Sequence, residues 1–181
     1  VVLYQSSNFQ MGSSFTKPID YRPLTVNVGN FTGSSLPEIA LTVMAAGGPR
    51  FLIYEWSIGT YQYWVEPLPL NPAPLSMVRP SMTEIGDLNQ DGLNDLVIGD
   101  RTSGKVAGFL NPGHGAWGAN YSTSRNLPTT LMLGDLDGDG SLELTVAEEG
   151  LEDPLVTVWD CTPTGFSAIT NIDTISTMNS L

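Results

Sequence analysis

The stretch IGDLNQDGLNDLVI, residues 85–98, crowds three carboxylates and an amide into nine residues between two apolar runs. Asp87, Asn89, Asp91 and Asp95 stand at positions 1, 3, 5 and 9 of this loop, and Gly92 at position 6. Such acids serve as catalysts, as cation ligands or as polar turn formers. The rest of the chain decides among the three.

The phrase returns as LGDLDGDGSLELTV at residues 133–146, with Asp135, Asp137, Asp139 and Glu143 at the same four positions and Gly140 at position 6. A third, weaker copy is VGNFTGSSLPEIAL at 28–41. The anchor glycines Gly29, Gly86 and Gly134 are 57 and 48 residues apart, which defines a tandem unit of about fifty residues. After each phrase comes a β-favouring run, a Gly-bearing turn and an aromatic: RFLIYEWSIGTYQYW, KVAGFLNPGHGAWGANY and LVTVWDCTPTGFSAI. Each unit therefore supplies four short strands, one before the acidic loop, one after it, and a hairpin.

No segment carries sustained helical spacing of apolar residues, and 19 Gly with 13 Pro break the chain throughout. An all-β fold follows, and four-stranded units in tandem fit the blades of a β-propeller. The expected organisation is a single domain: a half blade at 1–17, a blade with a degenerate loop at 18–68, blades with acidic loops at 69–124 and 125–170, and a possible first strand of a next blade at 171–181. Leu96, Val97 and Ile98, and likewise Leu142, Leu144 and Val146, should lie on strands covered on both sides. The recurring aromatics Phe15, Trp64, Trp117 and Phe166 are read first as packing between blades, with a sugar-stacking platform as the sharper alternative.

Composition narrows the function. The chain has 181 residues, 41% of them apolar, and a formal charge of −12 from nineteen acidic and seven basic residues. That charge repels phosphate backbones and anionic lipid, so no nucleic acid is expected as a partner. No apolar run approaches the length of a membrane-spanning helix, so no membrane insertion is expected. Cys161 is the single cysteine and His114 the single histidine, which leaves no internal disulfide and few nucleophile and base pairings. Cys161 reads as a small core residue and His114 as a loop residue.

Hard oxygen donors at positions 1, 3, 5 and 9 suit a cation with six to eight oxygen ligands, which favours Ca²⁺ over Mg²⁺. Gly92 and Gly140 permit the sharp turn that would point the carbonyls of Leu93 and Ser141, at position 7, inward. An EF-hand would need a bidentate Glu at position 12 and flanking helices; Ile98 and Val146 stand there, inside β-favouring runs. A dockerin-like pair of loops fails for the same want of helices. The alternative is a pair of Asx-rich turns with no metal; two loops in register favour the cation.

Between strands, these loops resemble the FG-GAP or VCBS-type repeat, the calcium-loop blade of integrin α-subunit propellers, propeller lectins and many secreted bacterial proteins. The resemblance covers about three units of the chain. It implies side-chain ligands at positions 1, 3, 5 and 9, namely Asp87, Asn89, Asp91 and Asp95 in one loop and Asp135, Asp137, Asp139 and Glu143 in the other. It implies carbonyl ligands at Leu93 and Ser141, and two calcium sites in all. Glu143 departs from the family's Asp by one methylene. The first copy departs further: Asn30, Thr32, Ser34 and Ser35 leave Glu38 as its one charged residue, so it is expected to bind no metal.

Asn30 (NFT) and Asn120 (NYS) are glycosylation sequons. The function expected is a secreted or cell-surface, calcium-stabilised module that binds glycans or extracellular proteins, as an adhesion protein or lectin does. The runner-up is a structural subunit of an oligomer or fibre, with a second copy or partner chain completing the propeller. An enzyme would need an acid pair outside the loops, and Glu55, Glu66, Glu148, Glu149 and Asp160 form no motif, so no catalytic residue is assigned.

Overall fold

The computed structural model describes residues 18–57, 60–70, 75–113, 117, 121–125, 127–149, 155–162 and 165–173. They form twelve strands and no helix. The first sheet is β1 (Arg22–Gly29), β2 (Glu38–Ala45), β3 (Gly48–Ser57) and β4 (Thr60–Pro69), hydrogen-bonded in chain order. The second is β5 (Met82–Gly86), β6 (Asp95–Asp100), β7 (Lys105–Phe109) and β8 (Tyr121–Ser124). The third is β9 (Pro128–Gly134), β10 (Glu143–Glu148), β11 (Leu155–Thr162) and β12 (Gly165–Asp173). All pairings are antiparallel, so each sheet is a four-stranded meander, a form compatible with a propeller blade.

The repeat is exact at its hinge. Gly29 pairs with Glu38, Gly86 with Asp95 and Gly134 with Glu143, so in every sheet the anchor glycine and the position 9 acid close the loop between the first and second strands. The first strands lie side by side, β1 against β5 and β5 against β9. This brings the three loops to one end of the stack.

Side-chain alternation explains the core. Every residue of β6 is buried, because the second sheet is covered on both faces. Leu96 and Ile98 enter the cluster shared with Phe51 and Ile53 of the first sheet, while Val97 enters the one shared with Leu131 and Val146 of the third. Burying each such side chain contributes about 1.5–3 kcal/mol. Leu144 and Val146 of β10 are fully buried, whereas Leu142 precedes the strand and packs partly buried beside them, and Thr145 and Ala147 on the other face are only half-buried.

Trp117 is a packing residue. Its ring meets Phe51 edge-on at 5.6 Å and tilts over Phe31 at 6.3 Å, within the seam between the first and second sheets. Phe166 packs on Trp159 at 6.4 Å. Phe15, His114, Asn120 and the side chains of Trp64 and Glu66 lie outside the described residues, as do the half unit 1–17 and residues 174–181. β12 runs through Asp173, so residues 171–173 pair with β11 in the third sheet. The hairpin partner β11 draws them in by continuing the register as far as Leu155.

Candidate metal centre

Each of the three loops is built on the same local bond. The carboxylate at position 9 accepts the N–H of position 2: Phe31 to Glu38 Oε2 at 2.7 Å, Leu88 to Asp95 Oδ2 at 2.7 Å, and Leu136 to Glu143 Oε2 at 2.6 Å. All three acids are buried, at 2%, 0% and 1% exposure. The loops differ in what meets the second oxygen.

In the first loop, Glu38 Oε1 accepts the hydroxyl of Thr32 at 2.8 Å, and the Ser34 hydroxyl lies 3.0 Å from it and 2.7 Å from the Leu36 carbonyl. Those are positions 3 and 5, so hydroxyls stand where the other loops carry carboxylates or an amide. In the second loop, Asp95 Oδ1 accepts the N–H of Asn111 at 2.7 Å. Burial, opposed by the N–H groups of Asn111 and Leu88 and reinforced by Asp91 and Asp87, pushes the Asp95 carboxyl up to about 6. In the third loop, Glu143 Oε1 is buried and accepts no hydrogen bond.

Glu143 also belongs to an acid cluster, the one such group of three among the described residues. One carboxylate oxygen each from Asp135, Asp137 and Glu143 lie within 4.8 Å of one another. Calcium holds oxygens at about 2.3–2.6 Å, so oxygens across one ion stand about 5 Å apart or closer. A buried anionic oxygen with no donor is costly unless a cation supplies the missing partner. The residues therefore fit a divalent cation. Asp139 lies outside this trio; its Oδ1 accepts the Ser141 N–H at 2.7 Å.

Backbone donors organise the remaining acids. Asp135 accepts Gly138 N at 2.7 Å and Gly140 N at 3.1 Å; Asp87 accepts Asp91 N at 3.0 Å and Gly92 N at 2.7 Å. Gly92 and Gly140 have φ of 88° and 91°, and a Cβ on either would meet nothing within 4 Å. The need for glycine at position 6 is therefore conformational and not steric. In the second loop Asn89 Nδ2 donates to Asp91 Oδ2 at 3.0 Å, and its acids form no cluster as tight as that of the third.

Residues that sequence reasoning passed over tie the loops together. Buried Asn111 donates Nδ2 to the Phe31 carbonyl at 2.7 Å and the Asn94 carbonyl at 3.1 Å, lacing the second loop to the first. Asn30 and Asn94 add a reciprocal pair, Asn30 N to Asn94 Oδ1 at 2.6 Å and Asn94 N to Asn30 O at 2.7 Å. Gln90 Nε2 reaches Ser141 Oγ and the Gly140 carbonyl. A signal existed for Asn111 in the NPG triplet, since its Oδ1 accepts the Gly113 N–H at 2.9 Å as an Asx turn does.

The acids outside the loops are held elsewhere. Glu148 is buried in an ion pair with Arg125, whose guanidinium also meets Thr157 and stacks 4.9 Å over the Trp159 ring. Glu149 pairs with Arg101 on the surface. Glu55 and Asp160 are half-buried strand residues on different sheets. Cys161 is buried in the core between the second and third sheets, and burial, with Glu143 nearby, pushes its thiol up to about 12. Asn30 of the first sequon is exposed and its Oδ1 accepts the Gly33 N–H.

Comparison with known protein families finds the FG-GAP-like repeat at residues 87–146, from the first acid of the second loop to the strand that follows the third. Both acidic loops fall inside the match. No curated protein matches the chain.

Proposed function

We propose that this chain is a calcium-stabilised, propeller-type extracellular module that binds glycans or extracellular proteins. The observation that carries the calcium reading is Glu143, whose buried Oε1 has no donor and which offers a carboxylate oxygen to a cluster with Asp135 and Asp137. In this reading Asp135, Asp137, Asp139 and Glu143, with the Ser141 carbonyl, hold one ion. Asp87, Asn89, Asp91 and Asp95, with the Leu93 carbonyl, hold a second. The ion supplies positive charge and fixed oxygen geometry; the chain's residues supply the binding surface.

Several features support the module reading. The FG-GAP-like match covers the acidic loops, and such repeats occur in extracellular proteins. No helix of the described residues is long and apolar enough to cross a membrane. Extracellular modules bind calcium at about 10⁻⁴–10⁻³ M, a range met by loops with partly preformed ligands. The three loops share one end of the stack, so ions there would stiffen a continuous rim. A glycan on exposed Asn30 would sit on the one loop that has given up its acids.

A glycan array and a panel of extracellular proteins, probed with calcium and with chelator, test this reading. Calcium-dependent binding to a defined ligand is the expected result. No binding to any member in saturating calcium, from a chain that calcium does stabilise, would leave the structural-subunit reading in its place.

A further inference from the structure

The two seams inside the stack are made in one way, and the two ends of the stack carry the unmatched halves of a third seam. A Cβ on Gly29 would lie 2.5 Å from Ile85 Cδ1 and 2.8 Å from Asn94 Oδ1, and one on Gly86 would lie 2.6 Å from Leu142 Cδ1 and 3.3 Å from Leu133 Cδ1. In both seams a first-strand glycine admits an aliphatic side chain from the first strand of the following sheet. Thr83 and Leu131 stand two residues before those aliphatics; Thr83 accepts Asn27 Nδ2 on its carbonyl at 2.9 Å, and Leu131 is buried. The position 2 residue of each loop seals the seam from above: Phe31 is 0% exposed and Leu88 3%.

Among the described residues, the third sheet repeats the receiving half without a partner. Gly134 is approached by nothing nearer than its own loop's Leu136, at 3.9 Å. Leu136, at position 2, is 60% exposed, and Met132, which corresponds to Asn27, is 62% exposed. The first sheet repeats the inserting half. Val28 and Val26 occupy the places of Ile85 and Thr83, or of Leu133 and Leu131, yet they are 56% and 63% exposed.

We propose that a second copy of this chain seats its β1 face on the β9 face of the first, with Val28 entering beside Gly134 beneath Leu136 and Val26 lying against Met132. One copy presents both halves of the seam, at opposite ends, so two copies supply a matched pair. The contact is head-to-tail. It closes into a ring if the turn per sheet permits and otherwise grows. The inference is independent of cation binding, since none of Val26, Val28, Met132 and Gly134 is a proposed ligand. With a formal charge of −12 per chain, association strengthens as salt screens the repulsion.

Sedimentation over about two decades of concentration at physiological salt tests it. Wild type should rise in mass with concentration, while Val26→Asp/Val28→Asp and Thr130→Asp/Met132→Asp, all at surface positions, should stay monomeric with unchanged circular dichroism. An equimolar mixture cannot rebuild the seam from two blocked faces but can from the two intact ones, so the mixture should form a heterodimer. A wild type that is monomeric throughout overturns the proposal. So does association that survives in either variant alone, or a mixture that stays monomeric.

Discussion

Gln90 crosses from the second loop to the third: its Nε2 donates to Ser141 Oγ at 3.1 Å and to the Gly140 carbonyl at 3.3 Å. The reach depends on a left-handed backbone at Gln90, with φ of 61°. Ser141 is the residue whose carbonyl is proposed to face a cation, so the bond should hold the third loop in its ligating form. A hydrogen bond of this kind contributes about 0.5–1.5 kcal/mol. Gln90→Ala is therefore expected to weaken calcium binding at the third loop by about two- to tenfold. Calorimetric titration reads this directly; unchanged affinity would make the two loops independent.

Glu143→Gln keeps the side chain's volume and its bond from Leu136 N while removing the buried charge that has no donor. Without calcium the variant should be as stable as wild type or more so. With calcium it should lose the third loop's share of the stabilisation, about 2.7 kcal/mol at a hundredfold excess over Kd. Thermal melts with and without chelator measure both. An undiminished calcium response in the variant would remove the cation from this site.

The first loop carries hydroxyls at positions 3 and 5 where the other two carry acids or an amide. Thr32→Val strips the hydroxyl donor from buried Glu38 Oε1 and should cost about 1–3 kcal/mol irrespective of calcium. Conversely, Thr32→Asp with Ser34→Asp and Ser35→Gly restores acids at positions 3 and 5 and a glycine at 6. That triple variant should gain one calcium equivalent by titration, and a failure to gain it would show that the loop's seal is not its acid pattern alone.

Asp95 links the second loop to pH. Its carboxyl is raised to about 6 in the folded chain, first by burial, against about 3.9 when unfolded. Proton uptake therefore favours the metal-free folded state: the contribution is fully present below about pH 4 and is lost as pH rises through 6. A cation works in the opposite sense, since it needs the ionised form. The melting increment that calcium produces should be full above pH 6 and shrink towards pH 4, and Asp95→Asn should flatten the part owed to this loop. An increment that is constant over that range would place the Asp95 carboxylate outside the site.

Much of the fold was legible because its causes are local. Gly29, Gly86 and Gly134 mark the period, and each pairs with the acid nine residues on. The unbroken apolar run Leu96, Val97 and Ile98 announces a strand covered on both faces, and the three are divided between two cores as side-chain alternation requires. The partners of the lacing residues were not legible. Asn111 acts on Phe31, 80 residues away, and Gln90 on Ser141, 51 residues away; no local pattern encodes such pairs.

The repeated phrase by itself determined where the strands, turns and acids fall, because backbone propensity, glycine's left-handed turns and crowded carboxylates act within ten residues. What the second oxygen of each position 9 acid meets was decided only by the tertiary structure. Glu38 Oε1 is closed by a hydroxyl and Asp95 by the backbone N–H of Asn111, just past β7, while Glu143 Oε1 is left bare. In the same way Phe31, Leu88 and Leu136 share one loop position, yet two are buried and one is exposed. Burial and hydrogen-bond satisfaction belong to the neighbours a fold assembles, and a repeated segment acquires different neighbours at each place in the stack.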